Sequence, residues 1–575
     1  MIENLSRSGL ARRTTWTVHD HRVTTPNMVF LRSESIKAPE GAEIVTANGL
    51  RWTLPDGEST LFEFPERFYA SLAFEDSERE EDACRSVHDE VEKGNEGRAH
   101  EEGKELVVLE GAFELRRDAR SFVRQISALR QQVGPRPLMF APGMADVSNL
   151  ALLAYAGVDL VDSSLLTYQG LRGNLSTPEG WLPADKAAWL VSNASPDEQV
   201  AFNLSSAWKE LQMVKHMIEA GRLRELVEIR SNASPWNVAA LRLLDLQCYD
   251  LQERFTPVVG SRFYANSKQS LSRPDVVRYR KRICERFRPA PHKKVLLLLP
   301  CSAKKPYFTS KSHRTFRSVL TSVANHSVVQ ELIVTSPLGV VPRELELFYP
   351  AAQYDIPVTG HWDLEEKKMV QELVRHVSSL GFEQVISHLG PESEFVREVA
   401  DCTETSDGRP TSSTSLAALE GALRQACEPY EHVSGGAERA ASLASAARCQ
   451  FGEGGERLLE GCSVSGNYPY SRIMSQGVQM GMLTQERGMI SLTLDGGERL
   501  QPIGKHWVEM EDFDLKGNLF CKGVRSVDPG IRAGDEALVL RKGQLEAVGV
   551  AAVCAEDMLA SERGQAVAVR HKRKC

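Results

Sequence analysis

Cys301 stands directly after the apolar run VLLLLP (295–300), and Lys304, Lys305, Tyr307, Ser310 and His313 follow it closely. A thiolate is a strong nucleophile, but a free thiol has a pKa of about 8.5, so nearby cations are needed to populate it. Lys304, Lys305 and His313 could supply that field, and Tyr307 or Ser310 could carry a proton. Such a set suits covalent attack on an electrophilic carbon with an acid–base partner alongside. The same lysine pair would equally suit a phosphate-binding loop, and spacing alone leaves both readings open.

These residues need a scaffold, and the flanking pattern predicts one. A run without polar alternation reads as a strand buried on both faces, as in a parallel sheet. Ligands gather beyond the carboxyl ends of such strands, which is where Cys301 falls. A helix near 314–325, a strand over 328–337, a helix near 363–380 and a strand over 383–390 complete an α/β core assigned to 290–430. Upstream, strands over 105–111, 137–143 and 158–164 alternate with helices over 119–133 and 146–157, which predicts parallel pairing. Residues 204–245 read as consecutive amphipathic helices, and 273–294 as a basic helix with a linker.

Three stretches interrupt this order. Residues 75–104 are dense in charge and poor in large apolar side chains, so a disordered insertion is expected there. Small and polar residues over 431–440 read as a domain boundary. Beyond about 449, short alternating strands and glycine turns resemble small β-barrels.

Composition sets the outer limits. A chain of 575 residues is too long for one core, so three or four domains are expected. Its net charge of -8 requires any nucleic-acid binding to rest on local basic patches. The 11 cysteines include no C-x-x-C pair, which fits reduced thiols and no metal site. No apolar run approaches the roughly 20 residues of a membrane span, and the amino terminus lacks a signal-peptide core. The chain reads as cytoplasmic, with no membrane partner.

The residues around Cys301 also form a longer pattern, PC-x3-KPY-x2-S-x2-H, built from Pro300, Cys301, Lys305, Pro306, Tyr307, Ser310 and His313. It resembles the signature of the archaeosine synthase family. The likeness runs through 335–366, with Glu344, Tyr354, Asp355, His361 and Trp362, and on to RPTSSTSLAAL (409–419). Segments 140–164, 174–180 and 214–228 are similar to tRNA-guanine transglycosylase, a (β/α) barrel. Asp162 stands where that family keeps its nucleophilic aspartate. The family's amino-terminal aspartate and its C-x-C-x2-C zinc ligands have no counterpart, and 180–215 holds no cysteine. The resemblance therefore implies a degenerate TIM-type barrel over 1–270, with Asp162 vestigial and no zinc. It further implies a small α+β module over 445–503 and a PUA RNA-binding β-barrel over 505–575. In the latter, Lys522, Arg525, Arg532, Arg570, Lys572, Arg573 and Lys574 would neutralise phosphates.

The resemblance also implies a reaction without a cofactor. Family members act on tRNA that carries 7-cyano-7-deazaguanine at position fifteen, adding a nitrogen nucleophile to the nitrile. Free lysine is one donor, with a radical-SAM partner cleaving the adduct later; glutamine or ammonia is the other. Cys301 would add to the nitrile as a thioimide, and Lys305, Tyr307, Ser310 and His313 would move protons. Ser336, Arg343, Glu344, Asp355 and His361 would hold the donor. The rival is direct amine attack with Cys301 only positioning the base. Two further classes stand beside it: an active transglycosylase using Asp162, and a non-catalytic tRNA-docking subunit. A homodimer is allowed for.

Overall fold

The computed structural model describes residues 2–64, 105–192 and 194–573. The acidic insertion expected over 75–104 and the tail residue Lys574 lie outside them. The chain divides into two compact units, Met1–Glu219 with Ile229–Leu244, and Ala220–Glu228 with Asp245–Cys575.

In the first unit, five parallel strands form the centre of a seven-stranded sheet. Their order is Ile44–Thr46, Asn27–Leu31, Leu160–Asp162, Leu138–Ala141 and Leu106–Val108. Leu138–Ala141 is buried along its whole length, which explains its unbroken apolar sequence. The aromatic core stacks on this sheet, with the Trp52 and Phe140 rings 4.8 Å apart and edge-to-face. Asp118 caps the helix Ala119–Val133 by accepting from the Arg120 amide, and Gly134 ends it at φ 73°. Asp146, expected to open the next helix, instead accepts from Ser148 and Asn149 in the turn before Leu150–Tyr155.

A closed TIM-type barrel is not what the described residues form. Beyond Ile44–Thr46 the sheet continues into antiparallel strands Arg51–Thr53 and Thr60–Glu63, and Leu106–Val108 is the opposite edge. The hairpin direction supplies antiparallel strands where an eight-stranded barrel would need further parallel ones.

The second unit holds the strand that leads to Cys301. Val295–Pro300 is the centre of a five-stranded sheet, between Val329–Thr335 and Gln384–Ser387, with Gly339–Pro342 and Thr403–Glu404 outside. Only Gly339–Pro342 is antiparallel. Val295 to Leu299 are fully buried. At about 1.5–3 kcal/mol per buried large aliphatic side chain, this strand is a principal anchor of the unit. Helix Lys311–Ser322 opens on Ser310, whose hydroxyl accepts from the His313 amide. Helix Leu364–Ser378 opens on a capping box of Asp363 and Glu366.

The boundary expected over 431–440 is instead the start of a helix, Gly435–Phe451, capped by Ser434. Its small residues are largely alanine, the best helix former, and Ala446 and Ala447 pack fully buried against the core. A four-stranded antiparallel sheet over 463–492 follows, then a six-stranded sheet over 507–572. Leu538, Leu545 and Val548 of that last sheet belong to the same hydrophobic cluster as Val295–Leu299. Gly549 lies within the strand Gln544–Ala551, where a Cβ would stand 2.2 Å from the Ala568 carbonyl. No described helix is long and apolar enough to cross a membrane.

Candidate active site

Cys301 sits where the central strand ends, half-buried among Lys305, Thr335 and Glu392. Burial pushes its thiol pKa up and the Glu392 carboxylate adds to that, while the Lys305 ammonium and the Thr335 hydroxyl pull it down. Burial wins, so the expected lowering of the thiol is reversed. The reason is that the cations are fewer than the sequence suggests. Lys304 is exposed to solvent, and His313 is not a cation at all.

Lys305 is the cation that does face the thiol. Its Nζ lies 3.9 Å above the Tyr354 ring centroid and 5.9 Å from that of Tyr307. Burial lowers its pKa, opposed by Cys301 and by Asp355. Asp355 in turn accepts from Arg262 at 2.5 Å. Behind the lysine, the hydroxyls of Tyr307, Tyr354 and Thr335 form a buried hydrogen-bonded chain, with Tyr354 and Thr335 2.5 Å apart. Burial raises both phenol pKa values, so the chain is protonated at neutral pH.

His313 belongs to a different cluster. Arg343 donates to its Nδ1 at 2.9 Å, to Glu331 at 2.5 Å and to Glu346 at 3.0 Å. Burial, helped by the Arg343 charge, lowers the His313 pKa to about 3. Arg343 is thus occupied by two buried carboxylates, and Ser310 by its capping bond. Ser336 donates to Glu366 at 2.6 Å, and His361 is exposed in the loop before helix Leu364–Ser378. Glu344 accepts from Gln330, which pairs with Leu296 at the start of the central strand. At about 3.3 Å per residue, that places it roughly 17 Å from the Cys301 end.

The neutral His313 has a measurable consequence. The unfolded imidazole titrates near 6.5 and the folded one near 3, so acidification loads protons preferentially onto the unfolded state. Stability should therefore fall as pH drops below about 6.5, by about 2 kcal/mol at pH 5. Urea unfolding across this range should show that slope in the native protein and a reduced one in His313→Gln, whose amide still accepts from Arg343.

The structure thus brings Cys301, Lys305, Tyr307 and Asp355 together, and adds Thr335, Tyr354 and Glu392. Thr335 was legible from register, since Pro300 pairs with Val334 and the next residues must be neighbours. Glu392 carries no comparable local signal. In the first unit, Asp162 accepts from the Gly143 amide at 2.9 Å and the Ser164 hydroxyl at 2.7 Å, and burial raises its pKa. No group of three or more His, Cys, Asp or Glu able to hold a metal occurs among the described residues.

Of the basic residues expected to meet phosphates, several are already engaged. Arg532 binds Glu253 at 2.7 Å, Arg570 binds Glu536 at 2.8 Å, and Arg573 binds Glu498 at 2.5 Å. Lys572 donates to the Leu515 carbonyl at 2.8 Å. Lys522 and Arg525 remain exposed.

Residues 509–573 match the PUA domain family, and 276–423 match a family described as Domain of unknown function (DUF5591). The fold is that of a modular α/β protein ending in a PUA domain. Archaeosine synthase subunit alpha of Methanosarcina acetivorans is 33% identical over 558 residues, covering 90% of this chain and 89% of its own. Archaeosine synthase of Haloferax volcanii is 32% identical, covering 82% of each chain. The tRNA-guanine(15) transglycosylase of Methanothermobacter thermautotrophicus is 27% identical over 76% of this chain and 66% of its own. The chain belongs to the archaeosine synthase family.

Proposed function

We propose that the protein is a tRNA-modifying enzyme of archaeosine biosynthesis, adding a nitrogen nucleophile to the nitrile of 7-cyano-7-deazaguanine at position fifteen. The observation that carries this reading is the Cys301–Lys305 pair backed by the Tyr307–Tyr354–Thr335 chain, in a chain related over most of its length to archaeosine synthases. Burial favours the neutral form of Lys305, and once it has lost its own proton its amine can accept that of Cys301. The thiolate then bonds to the nitrile carbon, one C–N π bond opens, and the nitrogen takes a proton from the ammonium or a phenol. The donor amine adds to this thioimide carbon, the C–S bond breaks, and an amidine remains with the thiol restored. Asp355, Ser336 and His361 would hold the donor, and no cofactor takes part. Free lysine is one donor, with a radical-SAM partner acting on the adduct afterwards. Glutamine-derived nitrogen is the other arm of the test.

A second reading, direct amine attack on the nitrile, is favoured by the raised thiol pKa. Mass spectrometry of nitrile-bearing tRNA after incubation with lysine, glutamine or ammonium separately tests the function and the donor together. Unchanged tRNA in all three would defeat the proposal.

The PUA domain would anchor the tRNA through Lys522 and Arg525. Replacing both with alanine is expected to weaken tRNA binding and to reduce the slope of log K against log salt by roughly 2. An unchanged slope would move the anchor elsewhere. Point variants are preferred to deleting 505–575, because Leu538, Leu545 and Val548 help to fill the core.

A further inference from the structure

Helix Pro274–Arg286 carries three arginines at helical spacing, Arg278, Arg282 and Arg286, and the outer two are satisfied. Arg278 donates to Glu253 at 3.2 Å and to the Thr256 carbonyl at 2.6 Å. Arg286 donates to the Cys449 and Gln450 carbonyls at 3.2 and 3.4 Å. Between them, the partly buried Arg282 has no hydrogen bond or ion pair among the described residues. It lines a cavity of about 40 Å³ together with Tyr279, whose buried hydroxyl also has no partner.

Apart from the Cys449 thiol, a weak donor, the rest of the lining among the described residues offers no free side-chain donor. The Gln450 amide is taken on both sides by Ile490, and the Tyr349 hydroxyl is bound to Asp275. Ile283, Leu345, Phe348 and Met489 make the remaining wall apolar. Three carboxylates stand nearby, of which Glu344, on the Tyr279 side, accepts from Gln330. Glu253 is shared between Arg278 and Arg532. Asp535 binds the Arg532 amide through Oδ2, leaves Oδ1 unpartnered, and does not line the cavity. Burial and the two flanking guanidinium groups depress the Arg282 pKa to about 9. Asp535 and Glu253 oppose that depression from nearby, yet neither is hydrogen-bonded or ion-paired to the Arg282 guanidinium.

We propose that this cavity binds a small oxyanion, a phosphate or carboxylate group, between the Arg282 guanidinium and the Tyr279 hydroxyl. The space corresponds to roughly three waters, enough for an ion of a few heavy atoms. Water alone would satisfy the phenol and solvate the guanidinium, but would bring no anionic oxygen into direct contact with it. An oxyanion satisfies both, because its oxygens accept from a guanidinium fork and a hydroxyl together. The cavity is walled by helix Pro274–Arg286, the segment Leu345–Tyr349, helix Gly435–Phe451 and Met489. Occupancy would tie these elements together and stabilise the unit.

The test is thermal unfolding of the full chain titrated with inorganic phosphate and, separately, with acetate, each against chloride at equal ionic strength. A saturable rise in Tm of several degrees beyond the chloride control is expected. Arg282→Gln should abolish it while unfolding in chloride no earlier than the native protein, since an unpaired cation has been removed. Arg282→Lys, which keeps the charge but loses the fork, and Tyr279→Phe should each weaken the apparent affinity several-fold. Saturation by phosphate alone assigns a phosphate group; saturation by acetate alone assigns a carboxylate. No rise beyond chloride in the native protein, or an equal rise in Arg282→Gln, would overturn the site.

Discussion

Replacing Cys301 with alanine is expected to abolish conversion of the nitrile-bearing base while leaving the fold and tRNA affinity intact. The side chain lies past the end of the central strand rather than in its packed part, so its removal opens little of the core. Serine should not rescue, because a hydroxyl is a far weaker nucleophile without a dedicated base. The loss should exceed about a thousandfold in turnover if the bond to sulfur is obligatory. When the amine donor is withheld, the native enzyme should accumulate a protein–RNA adduct that the alanine variant cannot form. Near-normal turnover by the alanine variant would instead establish direct amine attack, with Cys301 shaping the pocket.

The largest effect on stability is expected at Arg343. Its guanidinium holds Glu331 and Glu346, both buried, and replacing it with methionine would strand two carboxylates in the interior. Breaking such a pair costs about 3–5 kcal/mol. Arg343 beside it, with Arg317, outweighs burial and holds the Glu331 carboxyl at about 2, below its ordinary 4.5. The sign follows from that depression. Its stabilisation is complete above about pH 4.5 and is lost as pH falls toward 2. In Arg343→Met the stranded carboxylates favour protonation, so the deficit should shrink on acidification. Urea unfolding at pH 7 and pH 4 checks both the magnitude and this narrowing gap. A variant that folds with native stability but fails to bind the amine donor would instead make Arg343 a substrate ligand, as the sequence pattern implied.

The contrast between these two positions shows what could be read from the chain. Cys301 was legible because strand patterning is local. Five consecutive aliphatic residues before a proline fit a short strand buried on both faces, and parallel sheets expose their carboxyl ends. The same locality made the helix Pro274–Arg286 and the helix Leu364–Ser378 readable. The PUA domain was legible through its resemblance, since 509–573 match that family.

Other residues of the motif could not be sorted by spacing. His313 and Lys305 both follow Cys301 in sequence, yet only Lys305 faces it, because His313 is drawn onto Arg343 beneath the helix it begins. Arg532 and Arg570 look like phosphate ligands until the fold brings Glu253 and Glu536 against them. The small and polar residues over 431–440 read as a domain boundary, but packing of the small face of Gly435–Phe451 makes that stretch the start of a core helix. The sequence by itself determined the strands of the central core and the place of Cys301 at a strand end, because those depend on neighbours along the chain. Which charges are free, which are cancelled, and whether a thiol is pushed up or down were decided only by tertiary structure, because burial and Coulomb forces act between residues distant in sequence.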